Sequence, residues 1–338
     1  IYAGPQLTLT ANAADSWLAV PAGSEKLFVL SLLNEICTLS SGDIRVAREY
    51  SRDFPVEIIA PKINLDVEEL QHVAKLLVNA KQPVIMGGIS CDVETQIAIM
   101  LINHLTSAFG KNVFIDTPLS VSEISSPNVV DEFVANCKDK KYEALIILNT
   151  NPAFSLPGGI KFVEAVQNIP IVISFTSMMN ETSELAHYVI PTNTPLEDWD
   201  DYSPTNNITN FQQPVMESVF GVLSTGDYLL NLAKMITGQL PQNAVSYYDY
   251  ILKSNKLNDD DWKKTLGIGF IEKPQQQSSY RFGPPDLEKP MIRDIAGDHV
   301  RLFSTPSYKY YDGRGANKPW LNEVPHAMTS VVWDNYLM

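Results

Sequence analysis

The amino-acid sequence predicts an α/β fold: a doubly wound, mostly parallel sheet with helices on its faces. Three short apolar runs indicate buried strands, at 144–148, 169–173 and 188–191. Apolar residues at helical spacing in 162–166 predict a helix between the first two runs, and Asn180-Glu181-Thr182 is expected to cap a short helix through Ala186. Strands that alternate with helices over short connections are typical of a parallel sheet covered by helices.

The position of a ligand site follows from this topology. Ligands of open parallel sheets bind beyond the carboxyl ends of the strands. The segments that follow the three strands are therefore predicted to border one site: 149–155, 174–180 and 192–207. Asn149-Thr150-Asn151-Pro152 suits a dinucleotide-like ligand, because amides both donate and accept hydrogen bonds and proline fixes the turn.

The remaining elements are predicted from periodicity and capping residues. Before the central strands, helices are expected over 24–37 with Ser24 as N-cap, and over 66–79, 95–109 and 129–137; 45–54 is a short helix or a loop. Short strands are expected at 84–86 and 112–115. After the central strands, helices are expected around 227–237 and over 246–256, and the aspartates of 259–261 are interpreted as charges at a helix start.

Composition narrows the classes of function. The 338 residues are long enough for one large or two medium domains with a hydrophobic core. With 45% hydrophobic and 19% charged residues, the composition is that of an ordinary globular protein. The net charge of -14 argues against a nucleic-acid partner, because phosphate binding needs clustered lysine and arginine. Three cysteines without a C-x-x-C pair argue against an iron–sulfur or zinc site made by this chain.

The two ends of the sequence predict a piece of something longer. The sequence starts at Ile1 without a methionine or a signal peptide, and 329–334 reads as a strand that begins where the sequence stops. No apolar run reaches the roughly 20 residues of a membrane helix, so no direct membrane span is predicted.

Several local patterns allow more than one interpretation. The glycine turn in 84–90 is neither a dinucleotide fingerprint nor a phosphate loop, and helix–strand packing explains it as well. Ser90 and Cys91 lie outside any nucleophile motif, and no histidine is placed by spacing to act as their base. The carboxylates of 197–201 either bind a cation or form a solvated acidic loop.

Taken together, the motifs resemble the molybdopterin oxidoreductase superfamily of the dimethyl sulfoxide and polysulfide reductase type. The resemblance is carried, in chain order, by ADSWL at 14–18 with PAGSE at 21–25, NTNP at 149–152, NETSELAHYVIP at 180–191, LEDW at 196–199 with FQQPV at 211–215, and YDGRGANKPWL at 311–321. The last motif resembles most the large molybdopterin-like iron–sulfur subunit of alternative complex III.

The resemblance implies a vestigial pocket for a pterin dinucleotide. Residue by residue, it assigns this pocket to Gly23, Ser24, Glu25, Asn149, Asn151, Pro152, Thr176 and Glu181. Thr176 stands where the family has an acidic residue, His187 stands where aspartate is usual, and 202–207 lacks the family's glycine–threonine turn. Losing a carboxylate that pairs with guanine N–H groups weakens recognition, because those buried donors go unmatched.

The function that the resemblance implies is a cofactor-free scaffold without catalytic residues or metal ligands. Its expected partners are iron–sulfur, cytochrome c and quinol-binding membrane subunits, at the periplasmic side of a bacterial inner membrane. One alternative is a fragment of a catalytic enzyme, such as a polysulfide reductase, that binds molybdopterin guanine dinucleotide. Another is the central domain of a thiamine-diphosphate enzyme, since 76–90 has a helix–proline–strand–glycine design, although no G-D-G…N motif follows.

The resemblance also implies a domain organisation. Residues 1–65 would end one α/β lobe, 66–240 would form a Rossmann-like lobe, and 241–338 would be a helical and extended tail. In the family, a carboxyl-terminal β-barrel lies beyond such a tail.

Overall fold

The computed structural model describes residues 1–42, 44–88, 91–115, 117–119, 124–274, 303, 306–311, 313, 315–316 and 318–333. The chain divides into two compact units: Ile1–Ile115 with Ser278–Met338, and Asp116–Gln277. These divisions differ from the ones predicted from the sequence, at 65/66 and 240/241, which remain predictions about domains.

The first unit opens with a small parallel sheet and continues as a bundle of helices. Strands β1 (Tyr2–Gly4) and β2 (Trp17–Ala19) pair in parallel, and helix α1 (Leu9–Asn12) connects them. The helices that follow are α2 (Glu25–Leu39), α3 (Arg45–Ser51), α4 (Val56–Lys62), α5 (Val67–Asn79) and α6 (Val93–Leu105). The predicted helices over 24–37, 66–79 and 95–109 are thus confirmed, with shifted ends.

Helix α2 is the centre of this unit because it is apolar on nearly every side. It packs against α3, α4, α5 and α6, and four of its apolar side chains are fully buried: Leu30, Leu32, Leu33 and Ile36. Burial of each such side chain contributes about 1.5–3 kcal/mol. At the start of α2, Lys26 Nζ lies 2.6 Å from Asp92 Oδ2 and also contacts Glu94, which ties α2 to the start of α6.

The strand predicted at 84–86 does not form, and a side chain explains why. The backbone N–H of Ile85 donates to Asn103 Oδ1 at 3.0 Å, and Asn103 Nδ2 donates to the carbonyl of Ile85 at 2.8 Å. The buried amide of Asn103 therefore satisfies the backbone groups that a neighbouring strand would have paired. The strand predicted at 112–115 is likewise reduced to an isolated bridge between Phe109 and Val113.

The second unit contains the predicted parallel sheet. Its elements are α7 (Pro127–Lys138), β3 (Ala144–Leu148), α8 (Pro152–Ser155), α9 (Gly159–Val166), β4 (Ile171–Phe175) and β5 (Tyr188–Ile190). The strand order is β3-β4-β5, with Ala144 opposite Ile171 and Ile173 opposite Tyr188. The α/β fold is confirmed. The helix expected over 180–186 is only a 3₁₀ turn, Ser183–Leu185.

An antiparallel sheet, which the sequence analysis missed, completes the second unit. Strand β6 (Asp200–Thr205) pairs with β7 (Ile208–Gln212), and β7 pairs with β8 (Phe270–Glu272). The predicted strand-end segment 192–207 therefore contains a strand at 200–205. The accompanying helices are α10 (Thr225–Thr237), α11 (Tyr247–Asn255) and α12 (Asp259–Ile268), and a separate core contains Phe211, Ile251 and Trp262.

The carboxyl-terminal segment contributes helix α13 (Pro319–Glu323) to the described residues. Within the motif at 311–321, Asp312, Arg314 and Asn317 lie outside the described residues, as do Ser90, Asp334 and much of the tail predicted for 241–338. Among the helices described here, none combines the length and the apolar character needed to cross a membrane.

Candidate functional site

The loops at the carboxyl ends of β3 and β5 are joined by Asn149. This residue adopts a left-handed backbone conformation with φ 45°, which asparagine tolerates better than most residues. Its N–H donates to the carbonyl of Phe175 at 2.9 Å, and its Oδ1 accepts from Thr192 Oγ1 at 3.1 Å. Asn149 therefore prolongs the pairing of β3 with β4 and connects the loop after β3 to the loop after β5.

Asn151 joins the loop after β3 to the segment that follows β4. Its Nδ2 donates to Glu181 Oε2 at 2.6 Å, while its Oδ1 accepts from Thr182 twice, from Oγ1 at 2.7 Å and from the backbone N–H at 3.2 Å. Thr182 is fully buried, and its Oγ1 also accepts from the N–H of Ala153 at 3.0 Å. We call this set of hydrogen bonds the Asn151 latch: Asn151, Ala153, Glu181 and Thr182.

Glu181 and Pro152 complete the latch region. The hydrogen bond from Asn151 lowers the pKa of the exposed Glu181 carboxyl group. Pro152 is the first residue of α8, where its missing N–H leaves no intrahelical bond unmade. Both residues belong to the predicted site, and here Glu181 accepts a hydrogen bond from Asn151 while Pro152 begins helix α8.

Thr176 and His187, which replace acidic residues of the family pattern, are both engaged with backbone groups. Thr176 Oγ1 donates to the carbonyl of Met178 at 2.8 Å and closes its own turn. His187 Nδ1 accepts from the N–H of Val172 at 3.1 Å, and the N–H of His187 donates back to the Val172 carbonyl at 2.8 Å. In this chain the two side chains stabilise the ends of β4.

The other three predicted site residues belong to the first unit. Gly23 has φ 81°, and a Cβ added there would lie 2.7 Å from the ring of Phe303. Ser24 occupies the N-cap position of α2 as predicted, but its side chain makes no capping hydrogen bond. Glu25 is the first residue of α2, where a carboxylate interacts favourably with the helix dipole.

The sequence analysis placed Asn180 and Thr192 in segments that border the predicted site, but it assigned neither of them, nor Thr182, a contact there. Asn180 Oδ1 accepts from the N–H groups of Thr182 and Ser183 at 3.1 and 2.9 Å. The threonines lie on segments that the sequence had already marked, but their partners are about thirty to forty residues away in the chain. Such pairings have no local sequence signal.

The charges at the strand ends do not match a dinucleotide. The segments 149–155, 174–180 and 192–207 contain no lysine, arginine or histidine, and they carry four carboxylates: Glu197, Asp198, Asp200 and Asp201. A diphosphate is bound through cationic side chains or free N–H donors, and nearby carboxylates repel it. The side chains of these three segments therefore do not fit the diphosphate of a pterin dinucleotide.

Cys91 is poorly suited to act as a nucleophile. Burial raises the pKa of its thiol, which keeps the thiolate fraction small at neutral pH. The neighbouring Ser90 lies outside the described residues. The sequence-based view that this pair is not a catalytic centre remains a prediction.

Comparisons with known proteins support a molybdopterin-oxidoreductase-like superfamily for this chain. The chain is 25% identical over 335 residues to a protein named menaquinone reductase, molybdopterin-binding-like subunit, from Nitratidesulfovibrio vulgaris; the match covers 91% of this chain. It is also 25% identical over 231 residues, or 59% of this chain, to the probable oxidoreductase YyaE of Bacillus subtilis.

A solved structure shares the fold. Acetylene hydratase from Pelobacter acetylenicus superposes with a TM-score of 0.61 over 84% of this chain, at 15% sequence identity. The chain spans 48% and 35% of the two curated relatives and 49% of the acetylene hydratase chain. No protein-family model matches the sequence.

Proposed function

We propose that this chain is a cofactor-free, molybdopterin-oxidoreductase-like scaffold segment of a quinone-linked electron-transfer complex. The relative named as a molybdopterin-binding-like subunit of menaquinone reductase supports this class of complex. The observation that carries the cofactor-free part is the Asn151 latch, in which the amide that would face a ligand is bonded within the protein.

The latch matters because an amide oxygen has two acceptor positions. Asn151 Oδ1 uses both of them on Thr182, and one of the two Nδ2 hydrogens is held by Glu181. A ligand would have to break these bonds without an offsetting cationic contact from the three strand-end segments. In a scaffold without a ligand, the hydrogen bonds of Asn151 stay intact and hold the loops together.

The finer form of the proposal is a subunit of the alternative complex III type. The chain would support iron–sulfur and haem c carriers and a quinol-binding membrane subunit, at the periplasmic face of a bacterial inner membrane, without chemistry of its own. Purification of the native complex through a tag on this chain should yield c-type haem and iron–sulfur spectra together with quinol oxidation. Recovery of the chain in the cytosolic fraction without these carriers would refute the finer form.

Metal and pterin analysis tests the cofactor-free proposal directly. We expect the purified complex to contain far less than one molybdenum or tungsten atom per chain by mass spectrometry, and no fluorescent pterin after acid oxidation. A known molybdoenzyme from the same cells, processed in parallel, controls for cofactor supply. Stoichiometric metal together with pterin would refute the proposal.

A second candidate is a fragment of a catalytic molybdopterin enzyme, such as a polysulfide reductase. The match to a probable oxidoreductase favours it. In this case the preparation would contain pterin, and the conservative replacement Asn151→Asp would lower the pterin content because a new carboxylate would face the diphosphate. Equal pterin in the wild type and in this variant would place the pterin elsewhere and argue against this candidate.

A further inference from the structure

A cavity of about 220 Å³ lies in the second unit, at the starts of α10 and α11. Its lining includes two carboxylates and three aromatic side chains: Asp198, Asp227, Trp199, Tyr247 and Tyr248. The proposals above assign it no function. At about 30 Å³ per water molecule, it has the volume of roughly seven waters, which suits a small group rather than a nucleotide.

The aromatic walls are held in place by the protein itself. The rings of Trp199 and Tyr248 lie 4.8 Å apart between centroids, and the hydroxyl of Tyr248 accepts from Trp262 Nε1 at 2.9 Å. The hydroxyl of Tyr247 donates to Asp201 Oδ1 at 3.2 Å. Rings fixed in this way lose little freedom when a ligand binds, which favours affinity.

Gly226 sets the position of the Tyr247 ring. A Cβ added at Gly226 would lie 2.2 Å from Cγ of Tyr247, a distance that no side chain can keep. The ring therefore rests directly on the backbone of the first turn of α10. Alanine at this position must displace the ring from the cavity wall.

Only one of the two lining carboxylates keeps a free oxygen. Asp227 accepts from the N–H of Tyr247 at 2.7 Å and from Ser224 Oγ at 2.8 Å, so both its oxygens are used. Asp198 accepts from Asn193 Nδ2 at 2.9 Å through Oδ1, and within the described part of the chain Oδ2 has no hydrogen-bond partner.

Within the described residues, no cationic side chain lines the cavity or pairs with its carboxylates. None of its lining residues is a lysine, arginine or histidine. Burial and the neighbouring carboxylates of Asp227 and Asp200 raise the pKa of Asp198, as expected for an acid without a cationic partner. In the described residues, no three histidine, cysteine or acidic side chains converge as a metal site would require.

We propose that this cavity binds an alkylammonium group, either of a small amine or of a lysine side chain of another protein. An ammonium group can donate to Asp198 Oδ2 while its carbon chain and charge lie against the aromatic rings of Trp199 and Tyr247. Both interactions are stronger for a cation, so a neutral molecule of the same shape is expected to bind more weakly. The inference does not rest on the Asn151 latch, which involves other side chains, although Asp198 is also one of the carboxylates at the strand ends.

Titration of the purified chain followed by NMR tests the proposal. The probe is n-butylammonium, with n-butanol as the neutral molecule of similar shape, and the signal is the indole N–H of Trp199. We expect saturable shifts with butylammonium, at an affinity about tenfold or more above that of butanol, as a charge-assisted hydrogen bond requires. Equal affinities, or no saturation by either probe at millimolar concentration, would overturn the proposal.

Two variants localise the binding. Asp198→Asn keeps the shape and the acceptor for Asn193, and it should weaken butylammonium binding about tenfold or more; the control Asp260→Asn, at the start of α12, should not. Gly226→Ala should also weaken binding, because it displaces the Tyr247 ring. Unchanged affinity in a folded Asp198→Asn protein would overturn the proposal.

The same titration distinguishes the two sources of the ammonium group. Nα-acetyl-lysine methylamide carries the lysine side chain between two peptide groups, as a partner protein would present it. Binding of this compound with an affinity close to that of butylammonium supports a lysine of a partner. Binding of butylammonium alone supports a small amine, and binding of neither compound contradicts the proposal.

Discussion

Replacement of Thr182 by valine tests whether the Asn151 latch stabilises the loops at the carboxyl ends of the sheet. Valine has nearly the shape of threonine, so the fully buried side chain is replaced without a large cavity. Its methyl group can neither donate to Asn151 Oδ1 nor accept from the N–H of Ala153, contacts that measure 2.7 and 3.0 Å in the wild type.

The size of the effect follows from the two lost bonds. Each intramolecular hydrogen bond contributes about 1 kcal/mol net, and a buried group left without a partner costs about 1–3 kcal/mol. Thr182→Val should therefore lower the free energy of unfolding by about 2–4 kcal/mol. The matched control Thr182→Ser keeps both bonds and loses one buried methyl group, at a cost of about 1 kcal/mol.

Urea unfolding measures the difference between these variants. The transition is followed by tryptophan fluorescence and by circular dichroism, because the chain has two compact units and coincident curves are needed for a single free energy. Valine should be less stable than serine by about 1–3 kcal/mol. If valine were as stable as serine, the hydroxyl of Thr182 would not hold the loops and the latch would be refuted.

Two further predictions concern single groups in each unit. The hydroxyl of Ser174 is buried and has no hydrogen-bond partner among the described residues, so Ser174→Ala should stabilise the protein by about 1 kcal/mol. The control Ser31→Ala removes a buried hydroxyl that donates to a carbonyl at 2.9 Å, and it should destabilise the protein by about 1 kcal/mol. Urea unfolding of both variants measures these changes, and a loss of stability in Ser174→Ala would contradict the prediction. Burial alone would raise the pKa of Asp92, but the hydrogen bonds from Lys26 and from Thr95 outweigh burial and lower this pKa below 3.8. The stability that Asp92 contributes is therefore present above pH 3.8 and is lost as the pH falls through the folded-state pKa. Thermal melts from pH 5 to pH 2.5 should therefore show a smaller acid loss in Lys26→Met than in the wild type, and equal losses would refute the role of this ion pair.

The parallel sheet was predictable because its information is local. Runs such as 144–148 are apolar throughout, as buried parallel strands require, and the segments between them carry helical spacing or capping residues. The structure confirms these strands within two residues of the predicted ends. The helices α2, α5, α6, α7, α10 and α11 were predicted for the same reason.

The antiparallel sheet was not predictable, because its strands are polar and far apart. Strand β6 contains two aspartates, Ser203 and Pro204, a composition that indicates a loop. Proline is tolerated there because β6 is an edge strand, and β8, which completes the sheet, comes nearly sixty residues after β7. The strand predicted at 84–86 has a local apolar pattern but does not form, because the side chain of Asn103, on helix α6, pairs with the backbone of Ile85.

The loops that form the candidate site were predictable in position, and their contacts only partly; that they bind a ligand stays a prediction. The sequence indicated Asn149, Asn151 and Glu181 from a strand–turn pattern and a family resemblance. It gave no indication that Asn151 would be bonded to Thr182, because the two residues are thirty-one positions apart. Which polar groups are already satisfied is a property of the folded chain, and this property carries the proposal of a cofactor-free scaffold.

The proton on the backbone nitrogen of Ala153 is held by a side chain that comes twenty-nine residues later. It can exchange with deuterium only when the two loops separate, so its exchange rate at equilibrium measures the free energy of that local opening. Hydrogen exchange at this one amide therefore reports the stability of the contact between the two loops. Measuring the exchange rate of this amide after adding partner subunits or a pterin, one at a time, would show which of them stabilises the contact between the loops.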